Sequence, residues 1–353
     1  MSIFDEAKMI PYLSNKLGAE ALSITSIWKN LEGWSMETYS LGLSCVKDGR
    51  QVHQDIIIRK APESGLMSDN YDVSIEYRVL SALNRTEVAV PKTYWYEPDP
   101  AVLGQPFYVM EKVEGNIPFP PPISFEPDFR LIPDDKERLS LADDFVKNLA
   151  RIHTADWRSL GLDFLGVPGP GMGSALMQVE YWEDRIARAG FRKKPVIAYA
   201  VNWLKDNLVE NDRICLVHGD YRSGNYIARN GRIAAILDWE LVHLGDPLDD
   251  IAYIMGAWRS AQPLNWLSHL LPEEEFFSRY EEASGIKIDM QKLEFYHVLN
   301  KFKSVGIGIT AAGAWKARHD VDLRVGVFSM TQYISTFALI TDFYKHHSAS
   351  KGV

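Results

Sequence analysis

Apolar and polar positions divide this chain into two regions with different secondary structure. In the first hundred or so residues, runs rich in β-branched and aromatic side chains predict strands, as in SITSIWKN, METYSLGLSCV and QVHQDIIIRK. The Asp-Gly pair in KDGR, residues 47–50, predicts a turn that folds the second strand back on the third. Two later runs, VPKTYWY and PFYVMEKV, predict further strands of the same sheet. We therefore expect an antiparallel sheet in this region.

One helix is predicted within the sheet region. The segment DNYDVSIEYRVLSALN has apolar side chains at helical spacing, after Asp69 and Asn70, which are typical of a helix N-cap. The apolar positions are Val73, Tyr77, Leu80 and Leu83.

A proline-rich segment separates the two regions. EGNIPFPPPISFEPDF has five prolines between residues 118 and 127. Because proline fixes φ and lacks an N–H donor, this segment predicts an extended connector between an N-terminal lobe, residues 1–114, and a C-terminal lobe, residues 115–353.

The second region has a mainly helical pattern. In PDDKERLSLADDFVKNLARIH, five apolar side chains are expected on one helix face: Leu139, Leu141, Phe145, Leu149 and Ile152. Further helices are predicted at 175–190, 195–209, 247–260, 273–284, 290–315 and 325–345. The two regions together predict an α+β fold.

Composition excludes several classes of function. The 353 residues are 46% apolar, which is enough for a large core and, at this length, for two lobes. A net charge of −9 argues against a nucleic-acid partner. The least charged stretch, VGVFSMTQYISTFALITDF, contains too many polar residues for a membrane span and predicts a buried helix. With two distant cysteines and no secretory pattern at the N-terminus, we expect a cytoplasmic protein without membrane partners.

The most chemically distinctive run is HGDYRSGNYI, residues 218–227, between the apolar runs RICLV and GRIAAILDWE. It places Asp220 and Asn225 five positions apart in an expected loop, and Asp238 follows the second run. Mg²⁺ prefers oxygen ligands and leaves positions for substrate phosphates, so Asn225 and Asp238 predict a magnesium site and Asp220 remains for the nucleophile. The kinase motif H-R-D-x-x-x-x-N has the same spacing. The alternative is that these residues only form turns.

The longer segment LVHGDYRSGNYIARNGRIAAILDWELVHLGDPLDDIAYI resembles the core signature of the aminoglycoside phosphotransferase family, kinase-like enzymes that phosphorylate small molecules. IIIRKAP, SIEYRVLSAL, PFYVMEKVEG and LARIHTADWRSLGLDFLG follow the order of the family, so the resemblance covers nearly the whole chain. The chain is most similar to the branch of this family that also occurs fused to acyl-CoA dehydrogenases. The resemblance implies a two-lobed, protein-kinase-like fold that uses ATP and Mg²⁺.

The resemblance also implies roles in the C-terminal lobe. Asp220 would orient the acceptor hydroxyl and take its proton late in the transfer, while Asn225 and Asp238 would hold magnesium on the ATP phosphates. His218 is expected to brace the loop by hydrogen bonding. Asp246, directly before a proline, is expected to be a structural N-cap. Glu240 and Asp250 receive no role.

In the N-terminal lobe, the resemblance implies a nucleotide site. Arg59 takes the place of the kinase lysine, and Glu76 is its partner on the helix. If the alignment with the kinase strand is shifted by one residue, Lys60 takes this place instead. The alternative for Arg59 and Glu76 is an exposed ion pair of little energetic value.

Two further segments complete the implied nucleotide site. The loop LEGWSMETY corresponds to the hairpin over the phosphates, where Gly33 and Ser35 would contact ATP. The segment MEKV would be the hinge, with the backbones of Glu111 and Val113 bonded to adenine and Met110 behind it.

Charge favours an anionic acceptor. Residues 291–325 contain six basic and three acidic side chains. The basic ones are Lys292, Lys301, Lys303, Lys316, Arg318 and Arg324, and the acidic ones are Glu294, Asp320 and Asp322. If these helices line the acceptor site, as the resemblance implies, a hydroxyacyl-CoA or a related anionic alcohol is favoured as the small-molecule hydroxyl acceptor. The alternative is that these charges only solvate an outer face.

Two other functions are compatible with the sequence. One is phosphorylation of aminoglycoside antibiotics. The other is a nucleotide-binding module without transfer activity, which the joint presence of Asp220, Asn225 and Asp238 argues against.

Overall fold

The chain forms two compact units. One, the sheet unit, comprises Met1–Arg85 and Val90–Val113, and the other, the helical unit, comprises Thr86–Ala89 and Glu114–Val353. The structure is a computed structural model. It describes residues 5–30, 36–62, 72–119, 130–189, 195–257, 265–317, 323–330, 336 and 339–341.

In the described part of the sheet unit, an antiparallel sheet has five strands in the order β1-β2-β3-β5-β4. The strands are β1 (Ala21–Asn30), β2 (Glu37–Lys47), β3 (Arg50–Lys60), β4 (Thr93–Glu97) and β5 (Phe107–Glu111). The predicted turn between β2 and β3 is confirmed, because Asp48 and Gly49 have φ of 49° and 70° and Lys47 pairs with Arg50. Positive φ at both positions matches the twist of a tight hairpin.

An N-terminal helix absent from the sequence predictions covers part of this sheet. Helix α1 (Glu6–Leu17) begins at Asp5, whose carboxylate accepts a hydrogen bond from Ala7 N–H at 3.1 Å. Met9 and Leu13 are fully buried in one cluster with Leu41 and Val109 of the sheet. Met9, Tyr12, Leu13 and Leu17 recur at helical spacing and all pack on this cluster, so the local pattern carries a helix signal that the sequence analysis did not use.

Helix α2 (Val73–Leu83) is confirmed, but its cap differs from the prediction. Asp72 is the N-cap, and its carboxylate accepts a hydrogen bond from Ser74 N–H at 2.9 Å. Asp69 and Asn70 lie outside the described residues. A short helix, α3 (Pro100–Leu103), precedes β5.

The helical unit contains the predicted helices, with boundaries shifted by a few residues. They are α4 (Asp135–Thr154), α5 (Gly173–Arg188), α6 (Pro195–Asp206), α7 (Leu248–Ala257), α8 (Glu273–Ser284), α9 (Met290–Ala317) and α10 (Leu323–Ser329). The helix predicted over 325–345 is interrupted, since Met330 lies in a turn closed by its N–H to Val327 O. Of its remainder, only residues 336 and 339–341 are described. No helix in the described ranges is long and apolar enough to cross a membrane.

Two short two-stranded sheets lie between α6 and α7. Strand β6 (Cys215–Val217) pairs with β9 (His243–Gly245), and β7 (Tyr226–Arg229) pairs with β8 (Arg232–Ile236), both antiparallel. The expectation that residues 218–227 form one loop is therefore wrong at its end, because the last two residues pair with β8. Strands β7 and β8 form the inner hairpin, which lies between β6 and β9 in the sequence. The loop after β6 leads into this hairpin, and the segment after β8 leads back to β9.

One predicted apolar position on α4 is also wrong. Leu141, Phe145, Leu149 and Ile152 are buried, but 38% of the surface of Leu139 is exposed. At about 100° per residue, position 139 lies about 200° around the helix from position 141 and so faces outward.

We expect Leu149→Ala to lower the free energy of unfolding by about 2–5 kcal/mol, because it leaves a cavity in the core of the helical unit. Leu139→Ala, the matched control on the same helix, should lower it by less than about 1 kcal/mol. Urea denaturation followed by circular dichroism measures both values, and equal losses would contradict this assignment of the α4 faces.

Candidate active site

The loop between β6 and β7 brings the predicted acid and amide together. One carboxylate oxygen of Asp220 accepts a hydrogen bond from Asn225 Nδ2 at 2.6 Å, and the other accepts one from Arg222 Nε at 2.9 Å. Asn225 Nδ2 also donates to the main-chain oxygen of Asp220 at 2.9 Å. Asp220 and Asn225 are 8% and 6% exposed, so both groups are held in one buried arrangement.

These contacts also orient the Asn225 amide. Because Nδ2 makes both hydrogen bonds to Asp220, the carbonyl oxygen Oδ1 points the other way. A carbonyl oxygen is a suitable ligand for a hard cation such as Mg²⁺. The donor set and its orientation at Asn225 therefore fit the predicted magnesium site.

Asp238 lies at the same end of the inner hairpin as Asn225. The hydrogen bonding between β7 and β8 continues past the last strand pair, because Leu237 N–H donates to Asn225 O at 2.8 Å. Asp238 is the next residue and is half-buried. Its φ of 67° is uncommon for a residue with a side chain, and such conformations cluster at functional sites.

Magnesium at this point would not be held by a closed cage of acids. In the part of the chain that the structure describes, no group of three or more His, Cys, Asp or Glu side chains forms a metal site. An amide and a carboxylate would leave the remaining positions to phosphate oxygens and water, which is the usual way proteins bind Mg²⁺.

His218 braces the loop as expected. Its Nε2 lies 3.0 Å from Leu237 O, and its Nδ1 accepts a hydrogen bond from Asp220 N–H at 3.1 Å. An acceptor at Nδ1 requires the proton to be on Nε2, which then donates to the carbonyl. Burial lowers the pKa of His218 and outweighs the nearby carboxylates. The imidazole is therefore neutral at physiological pH and joins the loop to the segment before Asp238.

Asp250, to which the sequence analysis gave no role, contacts the loop that carries the candidate site residues. It lies on α7, fully buried, and its two oxygens accept hydrogen bonds from the main-chain N–H groups of His218 and Gly219, each at 2.8 Å. Burial alone would raise the pKa of Asp250, but the hydrogen bonds and charges around it, His153 first, lower it to about 2. A charged carboxylate thus fixes the start of the loop.

His153, at the end of α4, connects this carboxylate to a third helix. Its Nε2 lies 3.0 Å from Asp250 Oδ2, and its Nδ1 lies 2.6 Å from the hydroxyl of Tyr280 on α8. Both His153 and Asp250 sit among apolar neighbours in sequence, in NLARIH and DDIAYI. A polar residue on an otherwise buried helix face is the signal that could have identified them.

The charge argument for residues 291–325 needs correction. Lys292 is ion-paired with Asp212, and Lys303 is 3% exposed and donates to the main-chain oxygen of Gly219. These two bases have partners within the protein, so they are not free to line an acceptor site. Of the others, Lys301 is half-buried and Lys316 exposed. Among the acids, Glu294 is exposed on α9. Four members lie outside the described residues or have undescribed side chains: Arg318, Asp320, Asp322 and Arg324.

In the sheet unit, Arg59 and Glu76 form the predicted pair. Arg59 Nη2 lies 3.2 Å from both carboxylate oxygens of Glu76, and the side chains are 15% and 3% exposed. The alternative of a solvent-exposed ion pair is therefore wrong. Lys60 instead pairs with Glu37, 2.6 Å away, on the neighbouring strand β2. The structure thus selects Arg59 over Lys60 as the partner of the helix glutamate.

The remaining predicted nucleotide contacts are described only in part. Met110 is buried on β5, and Val113 is half-buried just beyond it. The N–H of Glu111 donates to Lys92 O at 2.9 Å, so a bond from Glu111 to a nucleotide would have to come from its carbonyl group. Gly33 and Ser35 lie outside the described residues.

Comparison with known proteins identifies relatives in sequence. A model of the phosphotransferase enzyme family matches residues 32–296. Human acyl-CoA dehydrogenase family member 11 is 30% identical over 324 residues, which are 86% of this chain but 38% of the human protein. The chain thus spans well under half the length of that curated relative. Hygromycin-B 4-O-kinase of Escherichia coli is 35% identical over 71 residues, which are 20% of this chain.

Solved structures show the same fold. A Ralstonia eutropha protein described as a candidate aminoglycoside phosphotransferase has a TM-score of 0.68 and 24% identity, covering 94% of this chain and 96% of that one. A mutant of aminoglycoside phosphotransferase APH(4)-Ia in complex with ADP and hygromycin B has a TM-score of 0.54 and 16% identity, covering 95% and 98%. The predicted α+β, protein-kinase-like fold is confirmed.

Asp246 supplies a pH-dependent test of this region. It caps α7 as expected, since its carboxylate accepts a hydrogen bond from Leu248 N–H at 2.9 Å. Burial is the main cause that raises the pKa of Asp246 to about 6. The hydrogen bond from Leu248 N–H and the charge of Lys292 lower this pKa, and the negative charges of Asp249 and Asp212 raise it further. The folded protein therefore holds this proton more tightly than the unfolded chain does, and the stability that Asp246 contributes falls as pH rises from about 4 to about 6.

We expect Asp246→Asn to keep the cap and remove the penalty of the buried charge. The free energy of unfolding of Asp246→Asn minus that of the unsubstituted protein should increase between pH 4.5 and 7.5, by about 2 kcal/mol. Urea denaturation at the two pH values measures this difference. The exposed Asp163→Asn is the control, with little change in its difference between the two pH values. A constant or decreasing difference for Asp246→Asn would contradict the assignment.

Proposed function

Because this chain belongs to the phosphotransferase enzyme family, we propose that it transfers the γ-phosphoryl group of ATP to a hydroxyl group of a small molecule, with magnesium as cofactor. The observation that carries the proposal is the arrangement of Asp220, Asn225 and Asp238. The first two are in direct contact, and the third lies at the same end of the inner hairpin as Asn225. A binding module without chemistry would have no need of a buried carboxylate beside the amide.

Each of the three residues has a distinct role in this proposal. Asp220 accepts a hydrogen bond from the acceptor hydroxyl and takes its proton late in the reaction, as that oxygen gains its bond to phosphorus. Asn225, through Oδ1, and Asp238, through its carboxylate, hold the metal. Magnesium supplies charge neutralisation on the phosphate oxygens when it is bound. The protein therefore mainly positions groups and stabilises charge, as expected for a loose phosphoryl-transfer transition state.

Arg222 keeps Asp220 in place before the acceptor binds. Its guanidinium is 2.9 Å from the Asp220 carboxylate, and its Nη1 also bonds to the main-chain oxygen of Ser223 at 3.0 Å. The contact with Arg222 thus fixes one oxygen of the Asp220 carboxylate and leaves its direction defined before the acceptor arrives.

The sheet unit supplies the nucleotide-binding residues of the proposal. We assign contact with the ATP phosphates to Arg59, because the buried Glu76 carboxylate fixes its guanidinium at one end. An arginine has several donors in a fixed plane and binds phosphate oxygens in pairs. Contacts from Gly33, Ser35, Met110, Glu111 and Val113 stay predictions.

We propose an anionic alcohol, in particular a hydroxyacyl-CoA, as the acceptor. The support is the name of the curated relatives, acyl-CoA dehydrogenase family members, which points to acyl-CoA chemistry in those proteins. Of the described bases in this segment, Lys316 on α9 is exposed, and we assign it to contact with a negatively charged acceptor. The alternative acceptor is an aminoglycoside, which the short match to hygromycin-B 4-O-kinase favours.

The experiment is ADP release measured with Mg²⁺ and ATP against a panel of 3- and 4-hydroxyacyl-CoAs, amino alcohols and aminoglycosides. We expect turnover on a hydroxyacyl-CoA, no turnover when Mg²⁺ is omitted, and a loss of at least about 1,000-fold in kcat for Asp220→Ala with the Kd for ATP changed less than about threefold. Asp163→Ala, an exposed acid distant in sequence, is the matched control.

The other outcomes of this experiment separate the alternatives. Turnover only on an aminoglycoside would retain the phosphotransferase reaction and overturn the anionic acceptor. Turnover that survives Asp220→Ala would overturn the role of Asp220. ATP binding without turnover on any acceptor of the panel would favour the non-catalytic module.

We expect Arg59→Met and Lys60→Met to differ in nucleotide binding. Loss of Arg59 should raise the KM for ATP by about 10-fold or more, because it removes a fixed cation from the phosphates and leaves Glu76 buried without its partner. Lys60→Met should raise it less than about threefold, since Lys60 pairs with Glu37. Steady-state kinetics with ATP as the varied substrate measure both, and the reverse order would assign the phosphate contact to Lys60.

A further inference from the structure

The peptide group that precedes Asp220 is held at both of its ends. The carbonyl of Gly219 accepts a hydrogen bond from the ammonium group of Lys303, and the N–H of Asp220 donates to His218 Nδ1 at 3.1 Å. The peptide group before it is fixed as well, because Gly219 N–H donates to Asp250 at 2.8 Å. The two peptide planes on either side of Gly219 are therefore fixed by side chains outside hairpin β7–β8.

Gly219 has a backbone conformation that allows this arrangement. Its φ is 85°, and a Cβ atom at this position would lie 2.5 Å from the main-chain oxygen of Leu241. A glycine can adopt other conformations easily, so the loop by itself does not fix the direction of the following residue. The direction of the Asp220 side chain thus depends on the groups that hold the two peptide planes.

Lys303 lies on α9 and is 3% exposed. Its Nζ lies 4.5 Å from the centre of the Tyr253 ring on α7, a distance typical of a cation–π contact. Its charge also acts on the carboxyl group of Asp249. Burial alone would raise the pKa of Asp249, but the hydrogen bond from His243 and the charge of Lys303 together lower it below its usual value. The ion pair described for Asp249 is with His243, at 3.3 Å, whereas the hydrogen bond described for Lys303 goes to Gly219.

A buried ammonium group is unfavourable unless its charge and its donors have partners. For stability alone, an unbranched apolar side chain such as methionine could fill much of the same volume. The specific partner that needs a donor at this point is the carbonyl oxygen next to Asp220. The contact geometry therefore relates Lys303 to the catalytic loop rather than to packing between α7 and α9.

We propose that Lys303 is a positioning residue, which fixes the Gly219–Asp220 peptide plane and through it the direction of the Asp220 carboxylate. This inference rests on the proposed transfer reaction. Without Lys303, one end of the peptide group is released and its plane can rotate, which displaces the carboxylate from the acceptor hydroxyl. Phosphoryl transfer is sensitive to displacements of about 1 Å. The effect should appear in kcat and not in the binding of ATP.

The test is a double-mutant cycle with Lys303→Met, Asp220→Ala and the double variant, assayed for transfer to the best acceptor of the panel. We expect Lys303→Met to lower kcat by about 10- to 100-fold while the KM for ATP changes less than about threefold. In the Asp220→Ala background, the same change should alter the residual rate less than about threefold, because Lys303 acts through Asp220. Lys287→Met, which removes an exposed lysine paired with Glu281, is the control without effect.

A second measurement does not depend on turnover. Hydrogen–deuterium exchange of the folded Lys303→Met protein should become at least about 10-fold faster at the amides of residues 218–220, with α8 unchanged, because one support of that backbone is removed. Lys303→Arg, which keeps a charged donor, should restore slow exchange and at least part of kcat. If Lys303→Met does not fold, Lys303→Leu, which also lacks a donor, replaces it with the same expectations.

Several results would overturn the proposal. They are an equal loss of rate in both backgrounds, a raised KM for ATP with unchanged kcat, and unchanged exchange at residues 218–220. If the unsubstituted protein transfers phosphate to no acceptor, the proposed function fails by itself. In that case, faster exchange confined to residues 218–220 would still support the contact of Lys303 with the loop, and unchanged exchange would overturn it.

Discussion

The buried carboxylate of Asp250 is the interaction on which the candidate site depends. It accepts the main-chain N–H groups of two successive residues, His218 and Gly219, and it also contacts His153. A loop between two short strands has few backbone partners of its own, so a charged acceptor on a packed helix is an effective way to fix it. Helices α4, α7 and α8 are linked by the same network, which continues from His153 to Tyr280. The position of Asp220 thereby depends on the core of the helical unit.

The site combines this fixed loop with a hairpin that carries the metal-binding candidates. The bond from Leu237 N–H to Asn225 O places Asp238 next to the end of the ladder, and His218 bonds to Leu237 O from the other side. Asp220, Asn225 and Asp238 therefore belong to one hydrogen-bonded assembly although they are spread over 19 residues of sequence. This preorganisation suits a reaction in which the protein mainly positions groups and stabilises charge. Arg59 and Glu76 form a comparable preorganised pair within the sheet unit.

Some features could be predicted because they depend on local sequence. The turn at Asp48-Gly49, helices α4 to α9 and the contact of Asp220 with Asn225 follow from turn chemistry, helical periodicity and motif spacing. Two errors are local as well: Met9 and Leu13 of helix α1 are at helical spacing, and Leu139 lies about 200° around α4 from the buried Leu141. Other features depend on distant partners. The assignment of Lys303 to the acceptor region was a statement about charge alone, whereas its hydrogen bond crosses from α9 to Gly219.

The sequence by itself determined the family and the candidate site residues, because a phosphoryl-transfer motif needs particular functional groups at short, fixed separations along the chain. It also predicted the five strands of the sheet unit and helices α2 and α4 to α9. The tertiary structure decided which groups hold the motif in place. Asp250 and Lys303 lie 31 and 84 residues from Gly219, which both contact, and His153 lies 97 residues from Asp250. No local pattern encodes a contact at such separations. Burial then decides their chemistry, since a carboxylate or an ammonium group is retained in a core only where specific partners compensate its lost hydration.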